Sequence, residues 1–218
     1  MGGELSKIGE YAIRCWEHRD RAVEKRLDDT AHMLSRAVAA VDASGQFPRL
    51  ADALDEAVRQ LELGSVALLM NVTPLAADAA RRILEVVFFT IFLKDDPQKL
   101  ASWHAGAQEF RFTGRLKAFY DASPPAVANG PFGLAMTDSL YRTLSASVHA
   151  NPTIWNESRD GLKLAAPLPT LAAREEMLHD AVRSVMYVLL YVLPDLEIDD
   201  VESVFPAHWP SVKGALGI

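Results

Sequence analysis

Arg142 and His149 are the reactive pair whose spacing converts most readily into geometry. In a helix they stand about two turns apart on one face, within the phrase Tyr141-Arg142-Thr143-Leu144-Ser145-Ala146-Ser147-Val148-His149. Ser145 and Ala146 lie between them, so that face is small in its middle and polar at both ends. The opposite stripe, Leu140, Leu144 and Val148, is apolar and is predicted to enter a core. An arginine holds a phosphate and a histidine moves a proton, which is a minimal kit for phosphodiester chemistry. The same two groups are equally a kit for an internal salt-bridge network.

Glu85 is the second residue of interest. It is embedded in Ile83-Leu84-Glu85-Val86-Val87-Phe88-Phe89, where nearly every neighbour favours burial. A carboxylate there must be paired or protonated, since burying it charged and alone costs several kcal/mol. Its local candidates are Arg81 and Arg82, one helical turn back, and its distant ones are Arg142 and His149. Tyr141 adjoins the motif as a further supporting group. Ser145 and Ser147 read as small packing residues that permit close approach of another helix, including one from a second copy of the chain.

Other chemistries lack their patterns. The six histidines never fall in a paired ligand spacing and Cys15 is the single cysteine, so no metal site is predicted. No glycine-rich phosphate loop and no Gly-x-Ser-x-Gly elbow occurs, and no cofactor is expected.

The elements that must position these groups are helical throughout. Residues 1 to about 43 read as one long amphipathic helix, with Leu5, Ile8, Ala12, Cys15, Trp16, Val23, Leu27, Leu34, Val38 and Val41 recurring mostly at spacings of three, four or their sum. A second helix is predicted from Arg49 to Leu63, with Gly64 as its stop, although Ser65 to Met70 equally begins the next element. Thr73-Pro74 signals a third start, a capping hydroxyl before proline, and that helix runs to Lys94. Asp96-Pro97 begins a fourth, reaching Tyr120 with Gly106 and Gly114 as weak points. Thr137 or Asp138 caps the helix bearing Arg142. A short hairpin is predicted near 153–165, turned at Asp160-Gly161. A strong helix returns from Thr170 to Leu193, and the tail, acidic and then rich in Pro and Trp, covers the bundle or a partner. The expectation is an all-α bundle of five to six helices.

Composition sets outer bounds. With 218 residues, half of them hydrophobic, the chain reads as an ordinary globular protein with one sizeable core. A net charge of −7 confines any nucleic-acid binding to a local basic patch. The polar amino terminus and lone cysteine point to a cytoplasmic setting. The apolar runs 83–93 and 181–193 are too short and too interrupted to span a membrane.

The motif and its surroundings resemble the HEPN superfamily, all-α proteins marked by an arginine followed at a short interval by a histidine near a helix end. Arg142 and His149 have six residues between them. The phrase Tyr-Arg-x-Leu-Ser-x-x-Val-His is also similar to a helix found in a HEPN-like group of bacterial proteins of unknown function. In that group an upstream helix carries Arg and Glu ahead of an apolar run, as Arg81, Arg82 and Glu85 do here. Thr143 follows the arginine where the family commonly has Asn, Asp or His. The resemblance covers residues 65 to 195, which divides the chain into an N-terminal helical extension, 1–64, and a HEPN-like bundle, 65–218. It implies a homodimeric, metal-independent endoribonuclease of a toxin–antitoxin or antiviral defence system, with RNA as substrate and an antitoxin or other protein as partner. His149 would then be the general acid or base, and Arg142 the group that holds the phosphate. The alternative is a noncatalytic helical interaction module in which Arg142, His149 and Glu85 form a structural polar network.

Overall fold

A computed structural model describes residues 10–11, 13–45, 47–105, 112–148 and 170–218. The fold is all-α, and no strand occurs among the described residues. The helices are α1 (Arg21–Ser44), α2 (Pro48–Leu69), α3 (Thr73–Phe92), α4 (Pro97–His104), α5 (Phe112–Ala122), α6 (Pro125–Asn129), α7 (Leu134–Val148), α8 (Leu171–Val192) and α9 (Trp209–Leu216). The hairpin expected near 153–165 lies outside the described residues.

The centre of the bundle is α3, which packs against α2, α7 and α8. Its sequence explains this place, because Ala76, Ala80, Ile83, Leu84, Val87, Phe88 and Ile91 are all buried and leave little of the helix to face water. The other central helix, α8, buries Leu178, Val182, Val185, Tyr187 and Leu189. Thr170 caps it by accepting from the Ala173 amide at 3.1 Å, so the helix starts where the sequence places it. One hydrophobic cluster joins residues of α1 through α3 with α7, α8 and the tail. The position between residues 64 and 65 falls inside α2.

Four helix boundaries differ from expectation, each for a local reason. The long first helix is broken at residues 18–20, where the Asp20 carboxylate accepts from the amides of Ala22 (2.9 Å) and Val23 (3.2 Å) and starts α1 afresh. Gly64 does not stop α2. A Cβ there would sit 2.8 Å from Leu178 Cδ2 and 2.9 Å from Ala79 Cβ, so the glycine lets α2 approach α3 and α8 closely. The helix expected from Asp96 to Tyr120 ends first at His104; α5 follows from Phe112 and passes through Gly114 unbroken. Finally, α7 begins at Leu134, one turn before Thr137, whose hydroxyl donates back to the Gly133 carbonyl at 3.1 Å.

The tail covers the bundle's end. Phe205 is fully buried, stacks on Trp209 with centroids 5.9 Å apart and meets Phe132 at 5.4 Å. Asp200 of the acidic cluster pairs with Arg36 of α1 at 2.6 Å. No described helix is long and apolar enough to cross a membrane.

Candidate functional site

The neighbours Tyr141 and Arg142 point to opposite sides of α7, and that divergence organises the site. Tyr141 turns inward, stacks on Phe112 with centroids 4.1 Å apart, and donates its hydroxyl to Glu85 Oε1 at 2.7 Å. Arg81 Nη1 donates to the same oxygen at 3.2 Å. Glu85 is thus paired, as its apolar setting requires, but its distant partner is a tyrosine and not Arg142.

The network extends along α3. Arg81 Nη2 donates to Asp78 Oδ1 at 2.8 Å, while Arg82 Nε donates to Asp78 Oδ2 at 2.9 Å, so Arg82 serves Asp78 and not Glu85. Burial alone would push the Asp78 carboxyl up, but hydrogen bonds from Arg81 and Arg82 overcome it and hold the group below the usual carboxylate range. Burial, followed by the Glu85 contact, pushes the Tyr141 phenol up to about 12, so at neutral pH the phenol is a hydrogen-bond donor. Ser145 Oγ, one turn beyond Tyr141, is shut off from solvent and lies against the Tyr141 hydroxyl, with no well-aligned hydrogen-bond partner among the described residues. It therefore does not share Arg142's open face.

Arg142 faces outward with its side chain 69% exposed, and its Nε donates to Asp138 Oδ2 at 2.7 Å. It stands on the rim of a cleft of about 510 Å³ between α5 and α7, floored by Leu116 and Leu134 and edged by Lys117 and Tyr120. Lys117 pairs with Asp121 at 2.8 Å. Lys117 is held by the exposed Asp121 and Arg142 by the partly exposed Asp138, each one turn away, an arrangement a competing phosphate can displace at small loss. His149 lies outside the described residues.

A second polar cluster joins α1 to α8. The Arg26 guanidinium grips both oxygens of Glu175, Nε to Oε1 at 2.6 Å and Nη2 to Oε2 at 2.9 Å. His179 Nε2 lies 3.3 Å from Glu175 Oε1, and its Nδ1 lies 3.1 Å from Thr30 Oγ1. Burial would raise the Glu175 carboxyl, but Arg26 and then His179 hold it below the usual range. Arg183 closes the far side through Glu176, Asp180 (2.9 Å) and the Val204 carbonyl (3.0 Å). Together they line a cleft of about 370 Å³. The spacing that marks this contact in the sequence is Glu175 to His179, four residues apart on one helix face.

The charges of this second cluster are satisfied by one another, which makes it a clasp between helices. Among the described residues no group of three or more His, Cys, Asp or Glu side chains is placed to hold a metal ion. Comparison with known proteins yields no matching family model, no matching curated protein and no matching solved structure.

Proposed function

We propose that this chain is a HEPN-like, metal-independent endoribonuclease in which Arg142 holds the scissile phosphate and His149 moves the proton. The observation that carries the reading is Arg142 itself: it stands exposed on a cleft rim beside Lys117, and its ion-pair partner among the described residues, Asp138, is one a phosphate can displace. A structural arginine would be enclosed. RNA supplies its own nucleophile, the 2′-hydroxyl, so the protein need only position, deprotonate and neutralise. In this reading two copies bring two Arg142–His149 motifs together, in the cytoplasm, within a toxin–antitoxin or phage-defence system whose antitoxin regulates the enzyme.

One observation favours a second reading, a noncatalytic interaction module. Glu85, Arg81 and Tyr141 close on one another and fix α3 against α7, as a structural network does. His149→Ala separates the two. Catalysis predicts loss of RNA cleavage with melting temperature and oligomeric state unchanged; the module predicts no cleavage by the wild type at all.

A further inference from the structure

The cleft beside Arg142 lies between two facing stripes, Gly114, Lys117 and Tyr120 on α5 and Ala135, Asp138 and Arg142 on α7. Its two smallest residues leave it open. A Cβ added at Gly114 meets nothing within 4 Å, and Ala135 is itself exposed. Tyr120, fixed by its hydroxyl's 2.8 Å donation to Asn129 Oδ1, adds an aromatic ring to the edge. A volume of about 510 Å³ with an apolar floor and an aromatic edge suits a flat ring system, and Lys117 and Arg142 suit a phosphate attached to it.

Asp138 decides which ring. Its Oδ2 accepts from Arg142 Nε at 2.7 Å, and its Oδ1 accepts from nothing among the described residues. The side chain is 34% exposed and lines the cleft. When a phosphate draws Arg142 away, this carboxylate loses its counter-charge beside an apolar floor, a position in which replacement donors are favoured. A carboxylate offers acceptor oxygens and no donor. Among the four RNA bases, guanine alone presents two adjacent N–H donors, N1–H and N2–H, on its Watson–Crick edge. Adenine and cytosine set a ring lone pair beside their amino group, and uracil flanks its single N–H with carbonyls, so each of these brings an acceptor against the carboxylate.

We propose that this cleft binds a guanine nucleotide of single-stranded RNA, Asp138 accepting from N1–H and N2–H of the base while Arg142 and Lys117 hold the phosphate beside it. The two exchanges balance. Arg142 passes from carboxylate to phosphate and Asp138 passes from arginine to guanine, so neither charge is left bare, and recognition of the base frees the arginine that the phosphate needs. The proposal rests on the ribonuclease reading for its substrate, but base binding is measurable without cleavage.

The test is calorimetric titration of the full chain with the four ribonucleoside monophosphates, in a 3′ and a 5′ series, at constant ionic strength. Guanosine should bind about tenfold or more tighter than the other three in one series. Preference in the 3′ series places the guanosine on the 5′ side of the held phosphate, and preference in the 5′ series on its 3′ side. Asp138→Asn, which replaces one acceptor by a donor, should bring guanosine to the level of the others. Gly114→Leu fills the cleft at a position where the helix gains by losing glycine, and should weaken guanosine binding about tenfold with the melting temperature unchanged or raised. Equal affinity for the four bases in both series, a guanosine preference that survives Asp138→Asn, or wild-type affinity in Gly114→Leu overturns the proposal. Mapping the cuts in an RNA of mixed sequence separates it from the ribonuclease reading. Cuts spread over all four bases overturn the guanine site alone, whereas guanosine binding without cleavage supports the site and removes the ribonuclease reading.

Discussion

Replacing Tyr141 by Phe removes one hydroxyl and leaves the ring stacked on Phe112. The lost interaction is the 2.7 Å donation to Glu85. A hydrogen bond to a charged group contributes about 1.5–3 kcal/mol, and the carboxylate's 25% exposure lets water replace part of it, so the expected loss is about 1–2 kcal/mol. For a chain of this size that lowers the melting temperature by about 3–6 °C. The pH dependence gives a second reading of the same phenol, which burial raises first and the Glu85 contact second. The phenol rises from 10.0 to about 12, which corresponds to a preference for its protonated form on the order of 2–3 kcal/mol. A folded-state value above the unfolded one means that this contribution is complete below about pH 10 and is lost as pH climbs towards 12. Urea denaturation at neutral pH and through the alkaline range should therefore show wild type and Tyr141→Phe converging as the tyrosine ionises. A neutral-pH difference within about 0.5 kcal/mol, the size of an inconsequential surface change, would refute the reasoning, as would parallel pH profiles.

Three further outcomes follow from the packing. Gly64→Ala should lose about 1–3 kcal/mol in chemical denaturation, because its Cβ meets Leu178 and Ala79 below 3 Å; an unchanged or raised stability would mean the helices have room to separate. Asp20→Ala should lose about 1 kcal/mol and fray the start of α1, visible as faster amide exchange at Ala22 and Val23. Glu175→Gln should lose about 1–2 kcal/mol at neutral pH, since Arg26 is half exposed and water takes over part of its role. The Glu175 carboxyl is held below its ordinary value, so its contribution is present above the unfolded carboxylate range and lost on acidification; the wild type should approach Glu175→Gln as pH falls through the acid range.

Where a residue's role depended on near neighbours, the chain revealed it in advance. The apolar runs of α3 and α8, with Thr73-Pro74 and Thr170 as their start signals, marked the two central helices because burial on nearly all sides leaves a continuous run. The need of Glu85 for a partner was equally visible. Its identity was not, because Tyr141 lies 56 positions away and meets Glu85 only when α7 packs on α3. The same applies to Arg26 and Glu175, 149 positions apart. Gly64 shows a different difficulty: a glycine that ends a helix and one that admits a neighbouring helix are the same letter, and only Leu178 across the interface distinguishes them. The break at Asp20 was hidden in the run Arg19-Asp20-Arg21, where a capping carboxylate looks like one more charge on a solvated face.

The most direct test of the ribonuclease reading is cleavage of single-stranded RNA, in the presence of a chelator, by the wild type and by Arg142→Ala. Arg142 is 69% exposed and its charged partner among the described residues is Asp138, so the substitution should change stability by under about 1 kcal/mol. Loss of a group that stabilises transition-state charge should lower the cleavage rate by about 10²–10³-fold. A wild type that leaves RNA intact, or an Arg142→Ala protein that cleaves it as fast as the wild type, would contradict the account.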